Sequence, residues 1–254
     1  MKVQTSLLYM SVAALLTFGP VHTGFASSFS VEPVRVILDL QHRTERMTVK
    51  NESDRPLTVL IKAYRWTQAD AGKDHYAETD DLIIFPRALT MAPGEERFVR
   101  VGMAAPSGQM EQAFRIYMEE QPINGEQAPK AATARILMRL GIPVFAQPLK
   151  PEMNLKVHEL ILSKGLLQHT LTNSGNTFVT AEQITINGRD KKGNELFASN
   201  LGGAYLLAGS TRTFEIAIPK SQCSRITQIN VTTRSKGKDQ LSKLDMTSGA
   251  CENK

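Results

Sequence analysis

Residues Ala134 to Phe145 read ARILMRLGIPVF, and this stretch decides how the rest of the chain is interpreted. Side chains alternate between the two faces of a β-strand, so every second residue shares a face. The opposite face of this stretch is mixed and carries Arg135 and Arg139. The apolar face is continuous, and its members are Ala134, Ile136, Met138, Leu140, Ile142 and Val144. Such a strand either covers its own core or offers its apolar face to the core of another protein.

Similar short runs of alternating or apolar residues occur along the whole chain, with turn residues such as Asn51–Pro56 between them. Seven of them precede a Pro-containing segment near residue 150: Phe29–Leu38, Met47–Val49, Leu57–Trp66, Leu82–Phe85, Arg97–Val101, Phe114–Glu119 and Ala134–Phe145. This number of strands in about 120 residues is typical of an immunoglobulin-like sandwich. Strand signals resume beyond the segment, and no long stretch has helical periodicity. The sequence therefore predicts an all-β protein of two sandwich domains.

The first run changes its apolar face at Pro33. Phe29 and Val31 are apolar at odd positions, whereas Val34, Val36 and Leu38 are apolar at even positions. A proline at such a change predicts a strand that bends from one sheet of the sandwich to the other.

The ends of the domains follow from composition. Lys2, the apolar run Leu7–Phe18 and the small residues near Ala26 are typical of a secretory signal peptide, predicted to span residues 1–26. The predicted N-terminal domain covers residues 27–147 and includes the strand at 134–145. A linker with two prolines follows at residues 148–152, and the C-terminal domain covers residues 153–254.

Composition excludes several functions. The net charge is +5, without a basic run interleaved with aromatics, which argues against nucleic acid as a partner. The five histidines are isolated, with no metal-ligand spacing, and no nucleophile elbow or phosphate-binding loop occurs. We therefore expect no enzyme activity, no metal and no cofactor. No segment after the signal peptide is long enough to span a bilayer, so no membrane insertion is expected.

The two cysteines, Cys223 and Cys251, both lie in the predicted C-terminal domain. An even number of cysteines in an exported protein predicts a disulfide bond. The single tryptophan, Trp66, falls near the strand where sandwiches often bury this residue, and we expect it to pack in the core.

Several segments together resemble the periplasmic pilus-assembly chaperones of the bacterial chaperone–usher pathway. They are Val34–Val36, Ile84–Arg87, Met91–Glu95, Phe98–Val101, Phe114–Tyr117, Arg139–Phe145 and, in the second domain, Leu171–Asn176. The resemblance covers essentially the whole mature chain. It implies two immunoglobulin-like domains arranged in an L with a cleft between them, and a periplasmic location once the signal peptide is removed.

The resemblance also implies a mechanism, donor-strand complementation. A pilus subunit is a sandwich that lacks its last strand, and the chaperone fills the groove with its own seventh strand before delivering the subunit to an outer-membrane usher. The side chains expected to enter the groove are Ala134, Ile136, Met138 and Leu140. The implied partners are therefore pilus or fimbrial subunits and the usher.

Members of this family anchor the subunit's C-terminal carboxylate with an arginine and a lysine in the cleft. The arginine matches Arg35, but the lysine position falls at or near Pro143. Arg139 is a candidate for the second cation, with a plain surface charge as the alternative, and Arg87 is a weaker candidate. The pattern Ile142–Phe145 resembles the archaic branch of the family.

An alternative is an exported immunoglobulin-like adhesin or a structural pilus component. A pilus subunit would be shorter and would carry an N-terminal donor extension. This chain has two apparently complete domains, and its apolar strand is internal.

Overall fold

The computed structural model describes residues 28–69, 72–105, 107–122, 136–246 and 250–251. The predicted signal peptide and Ala134 lie outside these ranges. The described residues are almost entirely β-strand, and their one helix is a single turn at Lys220–Cys223. None of their helices is long and apolar enough to cross a membrane.

Ten strands build the first sandwich. They are β1 (Phe29–Glu32), β2 (Val36–Leu38), β3 (Thr44–Asn51), β4 (Leu57–Gln68), β5 (Asp74–Glu78), β6 (Leu82–Phe85), β7 (Ala88–Met91), β8 (Glu96–Met103), β9 (Gln112–Glu120) and β10 (Arg139–Ala146). One sheet has the order β1-β3-β8-β6, and the other has the order β2-β10-β9-β4-β5, with β7 also paired to β4. Side chains from both inner faces form one continuous apolar core.

The predicted switch at Pro33 is confirmed. Strand β1 pairs with β3 in the first sheet, whereas β2 pairs with β10 in the second. The peptide bond between Glu32 and Pro33 is cis. Phe29 and Leu38 are both fully buried on either side of the bend, so both halves of the predicted strand contribute to the same core.

Ten further strands build the second sandwich. They are β11 (Leu155–Val157), β12 (Ile161–Ser163), β13 (Leu166–Asn173), β14 (Val179–Ala181), β15 (Gln183–Arg189), β16 (Glu195–Leu201), β17 (Ala204–Leu206), β18 (Thr211–Ala217), β19 (Gln228–Ser235) and β20 (Lys238–Asp245). The main sheets are β11-β13-β12, with β18 paired to β13, and β16-β15-β19-β20; β14 and β17 form a ribbon. The prediction of two immunoglobulin-like sandwiches is confirmed.

The core of the second sandwich contains two features beyond aliphatic packing. Cys223 and Cys251 are joined by a disulfide, with Cα atoms 5.8 Å apart. His169 is completely buried, and its Nε2 lies 2.7 Å from the hydroxyl of Thr233. Burial lowers the pKa of His169 to about 4, because the protonated ring would lose its solvation.

A third apolar cluster joins the two sandwiches. It is built around Trp66, Ala113 and Phe145 from the first and Phe178 and Leu207 from the second. Trp66 is therefore buried, but at the junction between the domains and not in the sandwich core where we expected it. Strand β10 ends at Ala146 and β11 begins at Leu155, so the predicted linker lies within this connection.

Candidate functional site

Strand β10 lies near the margin of its sheet, between β9 and β2. It pairs antiparallel with β9 along its whole length, from Arg139 opposite Glu119 to Ala146 opposite Gln112. Strand β2 pairs with it in parallel only at residues 144–146. Within the described ranges, no strand pairs with the outer edge of residues 139–143. An unpaired edge presents a row of backbone donors and acceptors to which another strand can add.

Two backbone bonds show which residues face that outer edge. The N–H of Glu120 donates to the carbonyl of Met138 at 2.9 Å, so even-numbered residues bond towards β9. The N–H of Gln147 donates to the carbonyl of Leu38 at 2.8 Å, so odd-numbered residues bond towards the β2 side. Pro143 is odd-numbered, and the N–H that it lacks would have pointed to the outer edge. A proline is tolerated at such a position because no bond of its own sheet is lost.

The apolar face of the strand divides into a covered and a projecting part. Ile142 and Val144 are buried in the core of the first sandwich. Met138 and Leu140 are half-buried and pack against the same core. Ile136, by contrast, is 89% exposed. The strand thus covers its own core over most of its length, and Ile136, which continues the apolar alternation in the sequence, is exposed just before the strand.

The opposite face of β10 meets the second sandwich. Phe145 is fully buried there and stacks on Phe178, with ring centroids 3.9 Å apart and planes inclined by 19°. Trp66 and Tyr205 complete the aromatic cluster, at 6.0 and 5.4 Å from Phe145. One end of the strand is therefore fixed between the two domains, and Ile136, just before the other end, is exposed.

Arg35, a predicted anchor, lies on the link between β1 and β2 at the border of this cluster. Its guanidinium carbon is 5.4 Å from the ring centroid of Tyr205 and 5.8 Å from that of Phe178. The side chain is exposed, and in the described part of the chain no carboxylate lies within ion-pair distance. A cation held over aromatic faces without a counter-ion is suited to receive an anion.

Arg139 and Arg87, the other two candidates, are already paired. Arg139 lies 2.8 Å from a carboxylate oxygen of Glu119 and 3.8 Å above the ring of Tyr117. Arg87 lies 3.0 Å from a carboxylate oxygen of Asp80. Both cations would have to leave an existing partner to bind another carboxylate.

Arg115 is a cation that the sequence analysis missed. It lies on β9 directly opposite Pro143, the position where the family's lysine would be expected. Its guanidinium carbon is 4.4 Å above Trp66 and 5.9 Å from Tyr76. It donates a long hydrogen bond of 3.3 Å to the carbonyl of Gly141, and it forms no ion pair with any described residue. Arg35 and Arg115 thus border the same aromatic cluster.

Gly141 provides the space in which these side chains lie. A Cβ atom at this position would come within 2.9 Å of the Tyr117 ring and 3.4 Å of the Arg115 side chain. Any larger residue would therefore displace Tyr117 or Arg115 from the surface of β10.

Gln68, near the end of β4, forms hydrogen bonds to the second sandwich. Its side-chain N–H donates to the carbonyl of Tyr205, and its carbonyl oxygen accepts from the N–H of Leu207, both at 2.9 Å. The hydroxyl of Ser210 donates to the same oxygen at 2.8 Å. This one side chain binds three residues of the other domain.

Glu111, just before β9, forms a second connection across the junction. Its carboxylate accepts a hydrogen bond of 2.8 Å from the N–H of Phe178 and a short one from the hydroxyl of Thr177. Burial raises the pKa of Glu111 to about 7, and the two hydrogen bonds oppose this shift without cancelling it. The junction beside Phe145 therefore contains a carboxylate that titrates near neutral pH.

The described residues contain no group of histidine, cysteine and acidic side chains that could hold a metal ion. The site is instead a strand edge, an apolar face and a pair of cations. Such a set of groups is suited to binding a polypeptide segment.

Comparison with known proteins gives a family for the first sandwich and similar folds for the whole chain. Residues 28–152 match the family model described as pili and flagellar-assembly chaperone, PapD N-terminal domain. No curated protein matches the sequence.

Among solved structures, the chain is similar to one from the CsuC–CsuE chaperone–tip adhesion subunit pre-assembly complex of archaic chaperone–usher Csu pili of Acinetobacter baumannii. The identity is 20% and the TM-score 0.56, over 85% of this chain and 98% of that one. It is also similar to a chain from the Salmonella enterica SafA pilin–SafB chaperone complex, with 12% identity and a TM-score of 0.55, over 86% and 96% of the two chains. The Pseudomonas aeruginosa CupB2 chaperone gives 13% identity and a TM-score of 0.51, over 86% and 100%.

Proposed function

Through residues 28–152 the chain belongs to the pilus-assembly chaperones, and from this premise we propose that it holds an incomplete pilus subunit by adding β10 to the subunit's own sheet. Proteins of this family are chaperones and not enzymes, in agreement with the sequence analysis. The alternative of an adhesin or structural pilus component has no support in this assignment.

One observation carries the proposal: no described strand pairs with the edge of β10 over residues 139–143, and the apolar alternation of this strand continues in the sequence to the exposed Ile136. An added strand would form backbone hydrogen bonds with the odd-numbered residues of β10. The sheet of the bound subunit would at the same time cover Ile136. Burying a side chain of this size contributes about 1.5–3 kcal/mol to the binding free energy before the costs of association. Met138 and Leu140 belong to the same face, and Ala134, which lies outside the described residues, keeps its predicted place in the proposed binding strand.

The C-terminal end of β10, which lies beside the second sandwich, would bind the subunit's C-terminal carboxylate. Arg35 keeps its predicted role, and Arg115 takes the place of the missing lysine at Pro143. Arg139 is a less suitable second anchor because Glu119 already neutralises it. Two cations beside one aromatic cluster would allow a carboxylate to be bound by paired charged hydrogen bonds.

The cellular setting is proposed with the function. A subunit-binding chaperone that delivers its cargo to an outer-membrane usher acts in the periplasm, which requires removal of residues 1–26. That compartment would allow the Cys223–Cys251 bond to form. Pro143 in place of the lysine, together with the similarity to a chain of the Csu complex, supports placement in the archaic branch.

Ile136→Asp is the sharpest test, because the side chain is exposed and the substitution leaves the chaperone's own core intact. Met138 is a poorer choice, since it packs against that core and its loss would also destabilise the domain. The matched control is Ile161→Asp, which alters an exposed isoleucine of β12 in the other sandwich.

The measurement is recovery of a subunit-sized protein with the tagged chaperone from the periplasm. We expect equal recovery with wild type and Ile161→Asp, and at least about tenfold less with Ile136→Asp. Full recovery with Ile136→Asp would place the binding surface elsewhere. Recovery with none of the three proteins would count against subunit binding itself.

A further inference from the structure

Glu120, the last residue of β9, carries a buried carboxylate that the proposed function does not use. Its side chain is only 1% exposed. One carboxylate oxygen accepts a hydrogen bond of 2.7 Å from the hydroxyl of Ser28 and one of 3.2 Å from the N–H of Met138. The nearest guanidinium nitrogen of Arg55 lies 4.0 Å from the other oxygen. The carboxylate therefore connects Ser28, the β3–β4 link and the segment that enters β10.

The bond to Met138 replaces a backbone bond of the sheet. The register places Arg139 opposite Glu119, and hence Met138 opposite Glu120. In a regular antiparallel pair, two such residues exchange both backbone bonds. Here the N–H of Glu120 donates to the carbonyl of Met138 at 2.9 Å, but the N–H of Met138 bonds to the carboxylate of Glu120. The side chain thus supplies an acceptor where residues 136–138, which lead into β10, meet the end of β9.

This contact coincides with a change in exposure. Met138 is half-buried and packs against the core, whereas Leu137 and Ile136 are exposed. The hydroxyl of Ser28 lies 3.8 Å from the sulfur of Met138, so the same group of atoms holds the Met138 side chain as well as its backbone. Burying a carboxylate is costly unless it is well bonded, so an apolar residue would serve better if packing alone were needed here.

We propose that Glu120 is a positioning residue that fixes the point at which the binding strand leaves its own domain. Within residues 136–146, Met138 is then the first residue that bonds to the chaperone's own sheet, and the exposed Ile136 precedes it. This inference rests on the proposed function, because it assigns Glu120 a role in presenting the same strand.

The first measurement is made on the free mature chaperone and needs no subunit. Amide hydrogen exchange is compared in wild type, Glu120→Ala and Glu96→Ala, the last being an exposed glutamate of the same domain. We expect the Met138 amide to exchange about tenfold faster or more in Glu120→Ala, since a bond to a charged acceptor is lost. The amides of Ile142 and Val144 should remain as protected as in wild type, and Glu96→Ala should change none of the three.

Unchanged exchange at Met138 would overturn the inference. So would equally faster exchange at Met138, Ile142 and Val144, because that result would mean a general loss of stability. If Glu120→Ala does not fold, Ser28→Ala replaces it, since it removes one bond to the carboxylate and leaves the buried charge in place. A smaller acceleration at Met138 is then expected, and its absence would refute the proposal.

The second measurement is subunit recovery with the same variants. Reduced recovery with Glu120→Ala but not with Glu96→Ala is expected, at a temperature well below the melting temperature of either variant. Faster exchange at Met138 with full recovery would show that the position of the strand end does not matter for binding, and would overturn the proposed role. Failure of the wild type to recover a subunit would instead count against the proposed function, while the exchange result would still decide whether Glu120 holds the strand.

Discussion

Arg115 lies directly opposite Pro143 across the β9–β10 pair, with its guanidinium 4.4 Å above the ring of Trp66. Side chains opposite each other in an antiparallel pair share a face of the sheet. The cation expected on β10 at Pro143 is therefore supplied by Arg115 of β9, which lies on the same face of the sheet and directly beside that position.

Replacing Arg115 with alanine should weaken subunit binding about tenfold or more, because the bound carboxylate would lose a charged hydrogen-bond partner. Arg35→Ala should have an effect of similar size. If both cations bind one carboxylate, the double variant should lose less than the sum of the two free-energy changes. The measurement is the affinity of the purified variants for the subunit identified by recovery from the periplasm.

Arg46→Ala is the matched control for these variants. This arginine also lies over an aromatic ring, 4.6 Å from Phe98, but it belongs to the sheet that contains β3 and β8. Equal losses with Arg115→Ala and Arg46→Ala would mean that general surface charge, and not an anchor in the cleft, accounts for the effect.

The sequence was sufficient to predict the parts of the fold in which burial leaves a periodic pattern. The bend at Pro33 was predicted because the apolar residues change face there. Strand β20 leaves no such pattern, because its side chains are mostly exposed and polar and Lys238–Asp245 shows no apolar alternation. Trp66 is predicted to lie in the core of a sandwich, because the sequence does not distinguish a residue buried between two domains from one buried within a domain.

The sequence predicts residues of the site only where the prediction depends on a single strand. The apolar face of β10 follows from alternation within a single segment, and Arg35 from its resemblance to a motif. Arg115 could not be found in this way, because its role depends on the register between β9 and β10. That register is set by pairing across the long connection that follows Glu120, and no local pattern fixes it.

Glu111 should make the domain junction sensitive to pH. Its pKa is raised to about 7 by burial, above the ordinary value of 4.5, so the closed junction favours the protonated carboxyl. Protonated Glu111 therefore stabilises the packed junction fully below about pH 4.5, and this stabilisation is lost as the pH rises through 7. Packing of the two domains against each other at this junction should become roughly twentyfold less favourable between pH 5.5 and 7.5. Emission of Trp66, which is buried at the junction, should shift to longer wavelength over this range.

Two variants test the assignment to Glu111. Glu111→Gln keeps the shape of the side chain and an acceptor for the N–H of Phe178, and it should remove the pH dependence. His75→Gln should retain it, although His75 precedes Tyr76, which packs on Trp66. Arg65, the charged side chain that shares the cavity beside Glu111, bonds to Asp81 and adds no opposing charge to the shift. An unchanged transition in Glu111→Gln would rule out this carboxylate as its origin.

His169 should make the second sandwich less stable in acid. Its pKa is about 4 in the folded protein and 6.5 in the unfolded chain, so unfolding takes up a proton between these values. The free energy of unfolding is then at its highest above pH 6.5 and falls by about 3 kcal/mol as the pH is lowered to 4. Urea unfolding at a series of pH values measures this loss. His169→Gln, which can still bond to Thr233, should reduce the slope between pH 6.5 and 4, and an identical slope in the variant would contradict the prediction.

Reduction of the Cys223–Cys251 bond should destabilise the second sandwich and leave the first unaffected. The bond joins residues 28 positions apart, and Cys223 is buried in the core with only 1% exposure. Opening a loop of this size typically costs about 2–4 kcal/mol, because the unfolded chain regains conformational freedom. The second sandwich should therefore melt at a lower temperature, and amides of β15 and β19 should exchange faster while those of β3 and β8 do not.

The variant Cys223→Ala/Cys251→Ala should behave like the reduced protein and be insensitive to reductant. Equal destabilisation of both sandwiches would mean that the bond also supports the junction, since each domain's stability would then depend on contact with the other.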